Sequence, residues 1–215
     1  MLTKPYSFLT SAFVIPVMVI ERETDAIPMA EALVAGGINV LEVTLRTPCA
    51  LAAIKAIAQA VPDAHVGAGT VCSGDDFSAA VDAGARFIVS PGQSDALFNK
   101  SSALKVPLLP GAVSATEVMR AAEAGFKVLK FFPASTSGGA AAIKAFSGPF
   151  SDISFVPTGG IGPKNLLEYL DLPNVQAAGG SWMLPKDKIQ SGDWQAVTQL
   201  SREATELANT KELIQ

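Results

Sequence analysis

The stretch INVLEVTLRTPCALAAIKAIAQAVPDAHVGAGTV, residues 38–71, decides the fold. It opens on a β-branched run, INVLEVTL (38–45), crosses alanine-rich PCALAAIKAIAQAV, and returns to a short second run, HVGAG (65–69). Strand, helix, strand in that order is the repeating unit of a parallel sheet. The rhythm extends both ways. VIPVMVI (14–20) precedes it, and RFIVS (86–90), VPLLP (106–110), KVLKFF (127–132), ISFVP (153–157) and VQAAG (175–179) follow. Helical stretches such as DAIPMAEALVAGG, GDDFSAAVDAGA, SATEVMRAAEAG and PKNLLEYL lie between them, and several end in the glycine expected of a C-cap. Eight such units without a linker predict an α/β chain built as one (β/α)8 TIM barrel over residues 1–215, with a short N-terminal helix ahead of it. The rival, an open doubly wound sheet, often carries a Gly-rich first turn. Here that turn, VIERETD, has no glycine.

Composition narrows the function classes. Hydrophobic residues make up 49% of the 215 and charged residues only 17%, so much of the chain is interior. A net charge of −4 gives no electrostatic footprint for nucleic acid. The two cysteines, Cys49 and Cys72, form no metal-spaced cluster and fit a reducing compartment. A single histidine, His65, argues against a His-built metal site. The apolar run from Pro5 to Ile20 is broken by Ser7, Thr10, Ser11 and Pro16 and closed by Glu21-Arg22-Glu23. It reads as helix then strand, neither leader nor membrane span, in a cytoplasmic protein.

Barrel chemistry sits at the C-terminal ends of the strands, so polar residues there are the informative ones. Strand side chains alternate between faces. In the second run Leu41, Val43 and Leu45 are apolar and suit the layer beneath the helices. Glu42, Thr44 and Arg46 therefore point inward. In the sixth run the same parity sends Val128, Lys130 and Phe132 inward. A lysine, a carboxylate and a guanidinium thus converge on one mouth. Burial disfavours an ammonium, and a neutral amine can attack a ketone to form a Schiff base. The protonated imine is an electron sink, so the adjacent carbon can lose a proton or break a C–C bond. Glu42 is suited to shuttle the protons, and Arg46 to grip a carboxylate with its planar fork. The set points to an α-keto acid. A buried ion pair that only fills the core is the plain alternative, although such pairs rarely raise stability over apolar packing.

A second anchor lies at the last two strand ends. TGGIGP (158–163) leads into a helix, with Gly162 read at its cap and Pro163 in its first turn, and AGGSW (178–182) follows the eighth run. Loops in these positions often bind phosphate through backbone N–H groups and helix N-termini. Ordinary turns that need glycine are the alternative.

VLEVTLRT, GAGTV, SPG, LPG, KFFPA, PTGGI and GGSW resemble, in order and spacing, the 2-keto-3-deoxy-6-phosphogluconate and 4-hydroxy-2-oxoglutarate aldolase family. The resemblance covers roughly residues 14 to 200. It implies a metal-independent, cofactor-free class I aldolase with Lys130 as the Schiff-base lysine and Glu42 as the proton-transferring carboxylate. Arg46, Thr70 and Pro91 would surround the pyruvate moiety, Phe132 and Thr158 would line the pocket, and Gly159, Gly160 and Ser181 would hold a phosphate. The implied reaction yields pyruvate and glyceraldehyde 3-phosphate, with 4-hydroxy-2-oxoglutarate as a second substrate, in a homotrimer. Nucleic acid and membrane are not among the expected partners.

Two positions depart from the pattern. Ser135 stands where the motif often continues KFFPAE, and Gly162 where TGGIS is frequent. The first touches rim contacts and substrate preference. The second costs little, since glycine is a tolerable N-cap. His65 opens the third run, at the opposite end, and reads as structural. Cys72 reads as wall, and Trp182 and Trp194 as packing or subunit contacts. An aldolase for the phosphorylated galactonate epimer, a phosphosugar isomerase and a non-catalytic sugar-acid-phosphate binding protein remain alternatives at this point.

Overall fold

The computed structural model describes residues 4–210. Along them run β1 (Val14–Met18), β2 (Val40–Thr44), β3 (His65–Gly69), β4 (Ile88–Val89), β5 (Leu108–Leu109), β6 (Val128–Phe131), β7 (Ser154–Pro157) and β8 (Ala178–Gly180). The helices are α1 (Ala26–Ala35), α2 (Ala50–Ala60), α3 (Gly74–Asp82), α4 (Asp95–Leu104), α5 (Ala115–Glu123), α6 (Gly139–Phe146), α7 (Leu166–Leu170), α8 (Lys186–Ser191) and α9 (Trp194–Asn209). Six strands form a parallel sheet in the order β5-β4-β3-β2-β1-β8, and β6 pairs in parallel with β7. Single parallel bridges link the two sheets: Gly111 with Lys130 on one side, Phe155 with Val175 and Thr158 with Gly179 on the other.

Local chemistry accounts for these elements. In α2, Ala50, Ala53, Ile54 and Ile57 recur at helical spacing and are buried as one stripe. Ser73, Ser94 and Ser114 cap α3, α4 and α5, each accepting a backbone N–H with its side-chain oxygen. β5 is shorter than the run 106–110 because Pro107 and Pro110 lack the N–H a ladder needs. The leading segment Lys4–Ser11 is a kinked 3-10 helix.

The strand parity holds. Leu41, Val43, Leu129 and Phe131 join the core beneath the helices. Val40, Phe87, Val89, Leu109, Val128 and Val156 form a separate inner cluster, with Tyr6, Leu9 and Ala12 of the leading segment packed into it. Tyr6 donates its hydroxyl to the Leu108 carbonyl at 2.9 Å. One end of the inner face is therefore stoppered by apolar side chains.

Two expectations need correction. The last strand is Ala178–Gly180, starting three residues beyond the start read from sequence and ending one residue later, so Gly180 belongs to the strand and not to the loop after it. A side chain at Gly179 would collide with Thr158 Oγ1, and one at Gly180 with the Trp182 ring, so close approach explains both glycines. The helix after β7 starts at Leu166. Residues Gly162 to Asn165 form a turn instead, in which the Gly162 N–H donates to Asn165 Oδ1 at 2.9 Å. Gly162 and Pro163 lie in the turn ahead of α7, and the Gly162 carbonyl accepts the Leu166 N–H at 3.0 Å.

Candidate active site

Lys130 and Glu42 meet on the inner face. Lys130 sits in the middle of β6 and its Nζ lies 3.2 Å from Glu42 Oε1 of β2, with residue exposures of 6% and 3%. The backbone fixes both. Lys130 donates its N–H to Pro110 O at 3.0 Å and accepts from Ala112 N–H at 2.9 Å. Glu42 is held in register between Val17 of β1 and Gly67 of β3. Its carboxylate lies over Gly69, where any Cβ would collide with Oε1. The Lys130 ammonium stands 5.2 Å from the centroid of the Phe132 ring, which is 38% exposed, so the ring covers the lysine from the rim.

The other expected residues are distributed around this pair. Thr44 is buried, but its hydroxyl donates to Met18 O at 2.8 Å and is engaged in the fold. Arg46 lies past the end of β2 in an exposed turn, and its guanidinium makes no hydrogen bond or ion pair among the described residues. Inward alternation stops with the strand at Thr44, so parity does not carry to Arg46. Thr70, at the end of β3, has φ +58, a strained conformation for a β-branched residue. The Pro91 carbonyl presses against Gly111, at which a side chain would not fit. Thr158 is buried against Gly179, and Gly159 packs beside Phe132, where an added Cβ would stand 3.3 Å from the ring. Gly159 and Gly160 have φ +100 and +74, a region that favours glycine. Ser181 is exposed just after β8 and borders a cavity of about 370 Å³ with Val17, Val19, Glu21, Arg22 and Lys186. Val17 is the register partner of Glu42, but neither Glu42 nor Lys130 lines this cavity.

Several contributors escaped the sequence reading. Gln93 donates Nε2 to Gly111 O at 3.0 Å and to Glu117 O at 3.2 Å, joining the loops after β4 and β5 next to Lys130. Gly69 and Gly111 matter by what they lack. The motifs GAGTV and LPG contain them, but only the packed neighbours reveal why a side chain is excluded. Cys72 is exposed, not wall, with its thiol directed to Thr70 O at 3.4 Å.

A lysine paired with a carboxylate inside a parallel sheet can form an imine and move protons at the adjoining carbons. Comparison with known proteins agrees with that chemistry. The family model for KDPG and KHG aldolase matches residues 6–200. A 2-dehydro-3-deoxy-phosphogluconate aldolase of Pseudoalteromonas atlantica is 52% identical over 191 residues, covering 89% of each chain. The crystal structure of a KDPG aldolase from Legionella pneumophila, with pyruvate captured as a covalent carbinolamine, superposes with a TM-score of 0.91. It is 46% identical and covers 94% of this chain and 98% of that one. A Zymomonas mobilis enzyme crystallised with 3-phosphoglycerate superposes with a TM-score of 0.89 at 46% identity, covering 94% and 95%. The class is thus an aldolase, a carbon–carbon lyase. Within that class, this chain belongs to the KDPG and KHG aldolase family.

Proposed function

We propose that this chain is a class I aldolase that cleaves 2-dehydro-3-deoxy-6-phosphogluconate to pyruvate and glyceraldehyde 3-phosphate. The observation that carries the reading is the buried Lys130–Glu42 pair at 3.2 Å on the inner face of the sheet. The Lys130 amine attacks the C2 ketone to give a carbinolamine, which loses water to form the iminium. Glu42 takes the C4 hydroxyl proton as the C3–C4 bond breaks, and the bond's electron pair flows into the iminium. Glyceraldehyde 3-phosphate leaves and the enamine of pyruvate remains. Glu42 returns the proton to C3, and water hydrolyses the imine, freeing pyruvate and the amine. The carbinolamine trapped in the Legionella relative is the first intermediate of this sequence. The same steps cleave 4-hydroxy-2-oxoglutarate to pyruvate and glyoxylate.

Arg46 holds the substrate carboxylate in this reading, with its unpaired guanidinium as support. Thr70, Pro91, Phe132 and Thr158 line the pyruvate end, and Gly159, Gly160 and Ser181 hold the phosphate. The imine is itself the electron sink, so the mechanism calls for no metal or cofactor. The bridges between the two sheets support one closed (β/α)8 barrel domain. Homotrimeric assembly and a cytoplasmic setting are carried over from the family resemblance. Among the described residues no helix is long and apolar enough to cross a membrane.

The test is reduction with borohydride in the presence of pyruvate, followed by peptide mapping. The expected result is one irreversible adduct on Lys130. An adduct on Lys127 or Lys144 would sink the assignment, because those lysines lie outside the buried pair.

A further inference from the structure

Where the loops after β6 and β7 meet, a hydroxyl is held without a role in the fold. Ala134 donates its N–H to Thr158 O at 2.8 Å and Ser135 donates its N–H to Gly159 O at 3.1 Å. These two bonds zip the loops together and press the Ser135 side chain onto Gly160. A Cβ at Gly160 would collide with Ser135 Oγ and stand 2.6 Å from its Cβ. The flank of Gly160 that a side chain would fill is thus occupied by Ser135. The Ser135 hydroxyl is engaged by no partner among the described residues, and the residue is exposed. The Gly160 N–H likewise donates to no group among them. Two unengaged donors, one backbone and one side-chain, therefore belong to residues packed side by side at the rim of the loop.

We propose that Ser135 is a specificity-determining residue, its hydroxyl donating to the terminal phosphate monoester of the substrate beside the Gly160 N–H. The proposal rests on the reading that Gly159, Gly160 and Ser181 hold that phosphate. Its physical basis is charge as well as geometry. A phosphate monoester near neutral pH carries between one and two negative charges and accepts hydrogen bonds on three oxygens. A serine offers it a donor and adds no charge. The glutamate of the related KFFPAE motif would set a carboxylate against the same oxygens, and like charges repel. Ser135 thus makes this rim more receptive to a dianion.

The test runs the reaction in the aldol direction, adding pyruvate to glyceraldehyde 3-phosphate or to unphosphorylated glyceraldehyde. The unmutated enzyme should prefer the phosphorylated aldehyde. Equal kcat/KM for the two would defeat the phosphate reading itself, independently of Ser135. Given that preference, Ser135→Ala should lower the ratio of the two kcat/KM values about tenfold, the usual worth of a hydrogen bond to a charged group. Inhibition of the glyceraldehyde reaction by inorganic phosphate should weaken by a similar factor, and Ser135→Glu should weaken both further. An unmutated enzyme that discriminates while Ser135→Ala keeps the full ratio overturns the proposal. So does an equal loss on both aldehydes, which would make the residue merely structural.

Discussion

The two ends of the inner sheet face each hold titratable side chains among apolar neighbours, and they treat them in opposite ways. At the start of β3, His65 stacks against Phe8 and Phe87, with ring centroids 5.0 and 5.6 Å away, and those two rings also stack on each other at 4.7 Å. Its Nε2 is buried without a hydrogen-bond partner among the described residues, and burial, reinforced by the Arg86 charge, holds its pKa below the ordinary value. The neutral ring acts as a third aromatic plate in the stopper made with Tyr6 and Leu9. Toward the other end, Lys130 and Glu42 are more deeply buried, yet each has the other at 3.2 Å. β3 serves both levels by omission: Gly67 leaves room for the Phe87 ring and Gly69 for the Glu42 carboxylate. Burial alone therefore does not mark a site. Position along the strand direction and a charged partner do.

The sharpest way to break that contrast is to neutralise Glu42. Glu42→Gln keeps the shape and a possible hydrogen bond to Lys130 but cannot carry the proton. We expect kcat to fall by roughly two to four orders of magnitude, the usual worth of a general acid–base group. Borohydride should still trap pyruvate on Lys130. Near-normal turnover would make the carboxylate as structural as His65 and erase the difference between the ends. A smaller effect is expected at the mouth's outer edge. Arg46→Lys replaces a bidentate fork by a point charge, and KM for the keto acid should rise roughly tenfold with kcat less affected. An unchanged KM would move the carboxylate's anchor elsewhere.

How much of this the sequence could reveal follows the same division. Eight strands lie where the β-branched runs are, and Glu42 and Lys130 share the inner face that alternation assigns them, because strand parity is a short-range property. Arg46 escapes that rule, since β2 ends at Thr44 and the chain turns before the guanidinium is reached. The sequence run for β8 starts three residues early and stops one short at Gly179, because glycines such as Gly179 and Gly180 usually mark the end of a strand. Their reason for being glycine lies in Thr158 and Trp182, one of them more than 20 residues away in sequence. Gln93 was invisible for a related reason: its two acceptors, Gly111 and Glu117, sit on another loop and helix. Ser135 was legible only as a departure from a motif. A steric test at Gly160 would be compromised by Ser135, which already occupies the flank a side chain would enter. A substitution at Ser135 is the cleaner probe.

The smallest expected effect lies at the stoppered end and concerns stability, not turnover. His65 in the folded chain titrates below its ordinary value of 6.5, because burial and then Arg86 disfavour the imidazolium. The groups around it are the Phe8 and Phe87 rings, the Asn39 carbonyl that accepts its backbone N–H at 2.6 Å, and the Arg86 cation. None of these compensates a positive charge on the ring's buried Nε2 except through the rings' π faces. In the unfolded chain the imidazole protonates near 6.5, while the folded chain resists. The stabilisation from a neutral His65 is therefore complete above 6.5 and declines as the pH falls through that value toward the lower folded one, beneath which it levels off. His65→Phe keeps an aromatic plate in the stack and removes the titration. Between about pH 8 and about pH 5, the melting temperature of the variant should fall less steeply than that of the unmutated chain. Paired carboxylates elsewhere, such as Asp152 and Asp193, contribute equally to both and cancel in the difference. The kcat on the aldolase substrate should stay at its unmutated value at neutral pH, since the ring lies at the far end of the strands from Lys130. Parallel melting curves for the two proteins across that range would mean the histidine is not held neutral. A large loss of turnover would mean that the two ends are coupled after all.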